Sequence, residues 1–152
     1  MNFNKILSFK TQLGWITLEE HNGNILSIKF SKKNNLGKSK RLEKLKKQII
    51  NYFLGKTKNI STNIELKGSL LQKNIWLELS KIPYGSTKSY GEIAKKVKTS
   101  PRYVGNVCGQ NNHLILIPCH RVIRSDGNLG GFSGKGGIKL KKKLLLLEKN
   151  NE

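Results

Sequence analysis

Ile117-Pro118-Cys119-His120-Arg121-Val122 closes an apolar run, His113-Leu114-Ile115-Leu116-Ile117, and precedes a loop rich in glycine, Asp126-Gly127-Asn128-Leu129-Gly130-Gly131-Phe132-Ser133-Gly134. The apolar run predicts a short strand that carries one of the chain's two cysteines at its end. The glycines predict backbone passing close to a ligand. Cysteine is the best intrinsic nucleophile among side chains, and a nearby imidazole can take its proton. Taken alone, the stretch fits a small buried core cysteine beside a satisfied histidine at least as well. Its neighbours shift the balance.

Upstream, Ser100-Pro101 opens a helix with serine as N-cap and proline at the first helical position. It reads Arg102-Tyr103-Val104-Gly105-Asn106-Val107-Cys108-Gly109-Gln110-Asn111. Val104, Val107 and Cys108 face a core, while Gly105 and Gly109, four apart, share a different face. Interior glycines cost a helix about 1 kcal/mol each relative to alanine, so something needs close backbone approach there. Packing against another helix is one reading and a nucleic-acid backbone or groove is the other, with Arg102 beside it. Ser89 caps a preceding helix over residues 90–97, and two short helices joined by a tight turn read as helix-turn-helix. A further helix, about Ser69 to Leu79, stops at Ile82-Pro83-Tyr84-Gly85.

Residues 3–30 read as a β-meander in which Asn22-Gly23 marks a hairpin. A Lys-rich loop and an amphipathic helix from about Leu42 to Phe53 follow, with Leu42, Leu45, Ile49, Tyr52 and Phe53 at helical spacing. Residues 56–68 read as an extended connection, so the domain boundary is placed at 66/67. At the other end, Ile138 to Lys149 forms a helix with Leu140, Leu144 and Leu147 as its apolar stripe. Glu148 falls on a partly inward side, at a helix end whose dipole disfavours an acid.

The net charge of +20, from 29 basic against 9 acidic side chains, favours a polyanionic partner, nucleic acid before an anionic membrane. Two cysteines make no disulfide framework, and no Cys/His spacing suggests zinc, so neither metal nor cofactor is expected. No segment approaches the ~20 apolar residues of a membrane span. A soluble protein of a reducing compartment is expected, cytoplasmic, or nuclear in a eukaryote.

The Pro-Cys-His-Arg core, with Ser100-Pro101-Arg102-Tyr103-Val104-Gly105 and Asn111 before it, resembles the O6-alkylguanine-DNA alkyltransferase family. The likeness extends through Ile82-Pro83-Tyr84-Gly85, Ser89 to Ala94, Gly130 to Gly134 and Leu144 to Glu148. It is close over about residues 67–150 and only general over 1–66. It implies an α+β fold: a small N-terminal α/β scaffold (ribonuclease-H-like sheet plus helix) over 1–66, and a mostly α domain with the helix-turn-helix over 67–152. It also implies irreversible, once-only transfer of an alkyl group from guanine O6 in DNA to Cys119. His120 would act as base through a water, with Glu148 orienting it, the logic of an activated nucleophile. Tyr90 would protonate the departing guanine, and Asn111 would be the hinge after the recognition helix. The nucleotide must leave the stack to react. Arg102 would take its place, from a helix lying in the minor groove of double-stranded DNA. Tyr103, Gly105, Asn106, Gly109 and Arg121 would lie on the DNA side. The Ser133 amide, the carbonyls of Cys119 and Val122, and Phe132 would form the base pocket. A monomer is expected.

The chain departs from the family's usual residues at Tyr103, Asn106, Phe132, the added Gly134-Lys135, and Lys143 in place of a tryptophan. Three other readings stand beside the resemblance. A non-enzymatic alkyltransferase-like lesion binder would lack the cysteine that Cys119 supplies. A helix-turn-helix regulator would bind one defined sequence. A Cys-His hydrolase would turn over and need an oxyanion motif.

Overall fold

The computed structural model describes residues 4–132 and 137–152. The chain forms two compact units: one holds the chain up to Glu65 together with Asn112–Leu116, the other Leu66–Asn111 and Ile117–Glu152.

In the first unit, β1 (Lys5–Thr11), β2 (Gly14–His21) and β3 (Asn24–Lys29) form an antiparallel sheet in the order β1-β2-β3. Asn22 and Gly23 both take positive φ, 51° and 80°, the two left-handed residues that a tight primed hairpin turn requires. Cross-strand pairs Leu7–Leu18, Phe9–Ile16 and Leu18–Ile28 set the register. The amphipathic helix α1 (Lys40–Phe53) starts at Ser39, whose hydroxyl accepts from the Leu42 amide, and buries the five apolar residues its spacing marks. The edge of β3 is closed by hydrogen bonds from Ile25 N to Asn63 O and from Ile28 N to Asn112 O, both 2.8 Å. Covered edges do not recruit other strands.

That second bond corrects one expectation. The apolar run 113–117 is a turn touching β3 at His113, not a strand, because Ile115 sits at φ 73°. A buried β-branched residue in the left-handed region breaks the extended path.

The second unit consists of α2 (Leu70–Leu79), α3 (Tyr90–Val97), α4 (Pro101–Cys108) and α5 (Gly137–Asn150). Reciprocal capping boxes, Ser69 with Gln72 and Ser89 with Glu92, start α2 and α3. Lys98 at φ 61° turns the chain out of α3, and Ser100 then caps α4. The glycine at 109 is the C-cap of α4, so this helix is shorter than the spacing suggests. Two two-residue strands, β4 (Lys88–Ser89) and β5 (Val122–Ile123), pair in parallel as Lys88–Val122 and Ser89–Ile123. This small ladder brings the start of α3, and hence Tyr90, beside the segment that carries Cys119.

Candidate active site

Cys119, His120 and Arg121 form one turn of 3-10 helix between Pro118 and β5. Cys119 and His120 are therefore not neighbours on an extended strand. The Cys119 thiol is buried and accepts a hydrogen bond from Asn111 Nδ2 at 3.2 Å; the same amide donates to Ile117 O at 2.8 Å. Asn111 thus ties the chain after α4 to the cysteine itself. Burial pushes the thiol pKa up to about 11, against the pull of the Asn111 hydrogen bond and the Lys141 charge. The resting thiol is protonated at neutral pH, so it needs a base when it reacts.

His120 is fully buried. Its Nε2 lies 2.6 Å from Glu148 Oε2, and its Nδ1 is buried without a hydrogen-bond partner among the described residues. Burial would raise the Glu148 carboxyl, but hydrogen bonds from His120 and Arg121 and the Arg121 charge outweigh it and hold it well below the carboxylate range. The ionised carboxylate accepts a hydrogen bond from Nε2–H, which leaves the lone pair on Nδ1. Burial holds the imidazole below its ordinary pKa despite Glu148, so it is neutral and able to accept a proton.

Arg121 completes the arrangement and corrects its expected place at the DNA. It is buried, with Nε 2.8 Å from Glu148 Oε1, a second guanidinium nitrogen 2.9 Å from Oε2, and the third 2.8 Å from Ile82 O. A buried guanidinium with all three nitrogens engaged inside the protein is not presented to a phosphate outside it. The Gly85 amide adds another hydrogen bond to Glu148, at 3.1 Å. The acid that opposes the α5 dipole is therefore held by two side chains and a backbone amide.

A cavity of about 910 Å³ opens over this turn, lined among others by Tyr90, Arg102, Cys108, Cys119, Arg124 and Phe132. Gly105, Gly109, Gly130 and Gly131 form wall that side chains would otherwise fill. Burial, with the nearby thiols, pushes the Tyr90 hydroxyl up to about 12, so it keeps its proton. Gly130 sits at φ 71°, and a Cβ there would lie 3.0 Å from the Tyr90 ring and hydroxyl. Gly130→Ala is expected to destabilise by about 1–3 kcal/mol through left-handed strain and displacement of Tyr90, readable in urea melts.

Lys141 is the residue that sequence reasoning missed. It is fully buried on α5, and the three N–H groups of its ammonium are shared among four acceptors: Val122 O at 2.6 Å, Gly131 O and Tyr90 Oη at 3.2 Å each, and Leu129 O. It pins the glycine loop to β5. It also fills a lone pair of Tyr90, so the phenolic proton points elsewhere. Its only signal in the sequence is the spacing of seven from Glu148, two turns on one helix face, and flanking lysines conceal it.

The remaining expected residues are placed as follows. Arg102, Asn106 and Gly109 are exposed and Gly105 half-exposed, at spacings of three and four along one face of α4 and its cap; Tyr103 is half-buried. Phe132 is half-buried on the cavity wall. Val122 is fully buried, and its carbonyl already serves Lys141. Ser133 and the Gly134-Lys135 insertion lie outside the described residues. Cys108 is buried on the inner side of α4 but reaches the cavity wall, and burial pushes its thiol up to about 12.

Residues 70–150 match the family model for the DNA-binding domain of 6-O-methylguanine DNA methyltransferase. A methylated-DNA–protein-cysteine methyltransferase of Sulfolobus acidocaldarius is 38% identical over 142 residues, 92% of this chain and 90% of that protein. The crystal structure of Mycobacterium tuberculosis O6-methylguanine methyltransferase superposes with a TM-score of 0.87 at 30% identity, covering 99% of this chain and 95% of that one. The structure of the M. tuberculosis protein in complex with DNA gives a TM-score of 0.81 at 33% identity, over 95% and 92% of the two chains. Fold and family model together define a protein with a DNA-binding helical domain. The chain belongs to the methylated-DNA–protein-cysteine methyltransferase family.

Proposed function

We propose that this protein repairs DNA by moving an alkyl group from O6 of a guanine, flipped out of the duplex, onto Cys119 Sγ, once per molecule. The observation that carries the reading is the buried, neutral His120. Its Nε2 is fixed on Glu148, its Nδ1 has no hydrogen-bond partner among the described residues, and the residue before it in the chain is the buried, protonated Cys119. His120 Nδ1 takes the Cys119 proton through a water, and the thiolate attacks the alkyl carbon. The S–C bond forms as the C–O6 bond breaks, and the electron pair leaves with the guanine. Tyr90 gives that anion its proton, and the Lys141 ammonium stabilises the phenolate that forms. The proton held on His120 then returns through water to the Tyr90 phenolate, so that in net terms the thiol proton is exchanged for one on the released guanine.

Arg102 enters the stack where the nucleotide was, and the face of Gly105, Asn106 and Gly109 lies against the minor groove. Most phosphate contact is independent of sequence, as suits a lesion that occurs in any context. The protein acts as a monomer in a reducing compartment. The stoichiometry tests the reading: methyl removed from a duplex containing O6-methylguanine should plateau at one equivalent per protein. Continued turnover would sink it in favour of a hydrolase, and tight lesion binding without transfer would leave a recognition protein.

A further inference from the structure

The face of α5 turned away from the cavity has no part in the chemistry above. The helix buries Leu140, Lys141, Leu144 and Glu148, and Lys141 and Glu148 both reach into the active-site cluster. At 100° per residue the opposite side is centred on Leu146, flanked by Lys139, Lys142, Lys143 and Lys149. All four lysines are exposed, and Leu146 is 55% exposed. No acid lies on this side, since the one acid of α5 is the buried Glu148. None of the four lysines has an ion-pair partner among the described residues.

Folding does not ask for this pattern. Lysines three and four apart repel one another, and Lys139 near the start of α5 opposes the helix dipole. Of the four, only Lys149, in the last turn, suits the dipole. From Lys139 to Lys149 the helix rises ~15 Å, and a duplex strand carries a phosphate every ~3.4 Å along its axis. The row can therefore follow a phosphate backbone for several nucleotides. An anionic membrane is the weaker match, because insertion needs a broad apolar face and α5 has turned its own inward.

We propose that the outer face of α5 is a second binding surface for duplex DNA, separate from α4 and the cavity, so that one molecule holds two duplex segments. The proposal rests on the DNA-repair reading and extends it to the search for lesions: a protein gripping one duplex by this face can present its cavity to another.

The test is capture of a fluorescent unmodified duplex by a second, immobilised duplex in the presence of the protein. Wild type should bridge the two, with a yield first order in protein. The triple variant K139E/K142E/K143E should bridge at least tenfold less, with the salt slope of bridging shallower by about 3. K40E/K44E/K47E, which changes the net charge equally on α1, should bridge like wild type. Both triple variants should melt normally and transfer methyl from a lesion-bearing duplex. Absence of bridging by wild type, equal loss in both variants, or loss in the α5 variant of binding only to phosphatidylserine vesicles would each overturn the proposal. Absence of methyl transfer by wild type would instead count against the repair reading, whatever the bridging result.

Discussion

Glu148→Gln is expected to lower the unfolding free energy by about 3–5 kcal/mol, because it leaves the Arg121 guanidinium buried without its counter-charge. Arg121 makes two of its three side-chain hydrogen bonds with this carboxylate, at 2.8 and 2.9 Å, and is nearly inaccessible to water. An amide presents one acceptor where two are used, and its NH₂ faces donors. Methyl transfer should fall with stability, since His120 loses the acceptor that fixes its Nε2 proton. The pH dependence gives a second readout. Glu148 is depressed in the fold, so its contribution is complete above the unfolded carboxyl pKa of ~4.3 and is lost as pH falls below it. His120 is also depressed, so the unfolded chain takes up a proton below ~6.5 that the fold refuses, and stability falls there too. Denaturant melts from pH 7 to pH 3 should show both losses in wild type, and the variant should lack the one below ~4.3. An unchanged acid profile in Glu148→Gln would refute this account of the ion cluster.

The second large effect is expected at Lys141. Lys141→Met keeps an unbranched chain of similar length but removes every hydrogen bond that joins Val122, Leu129, Gly131 and Tyr90. Removing the charge relieves a desolvation cost, yet it strands buried carbonyl oxygens at about 1–3 kcal/mol each where water does not replace the ammonium. The chemical step should slow by about 10²–10⁴, the usual scale for losing a positioned proton donor and its supporting charge. Single-turnover kinetics separate this from folding, because binding to undamaged duplex through α4 should be retained. Lys141→Arg tests shape: a planar fork in a site built for a compact ammonium should recover little of the rate. Full activity in Lys141→Met would remove the residue from the mechanism.

The sequence reading succeeded where a local signal has a local cause. Asn22-Gly23 specifies its turn, and Ser69, Ser89 and Ser100 each cap the helix they announce. The α1 spacing names the residues that α1 buries. Cys119, His120 and Glu148 are candidates because their order along the chain resembles a known family, and the fold brings the last two into a hydrogen bond across 28 residues. The misreadings arise where distant partners decide. Arg121 reads as a cation beside a reactive pair, but its carboxylate lies 27 residues away on α5. The run 113–117 has a strand's composition, and only the left-handed Ile115, with pairing limited to β3 at His113, makes it a turn. Lys141 is one lysine among many until its burial sets it apart.

The central claim is that Cys119 is the acceptor, and peptide mass spectrometry tests it most directly. The protein would be incubated with duplex DNA containing one O6-methylguanine and then digested. A single added methyl on the peptide containing Cys119, with none on Cys108 and none in Cys119→Ser, is the predicted result. Methyl found on Cys108, or transfer that persists in Cys119→Ser, would contradict the account.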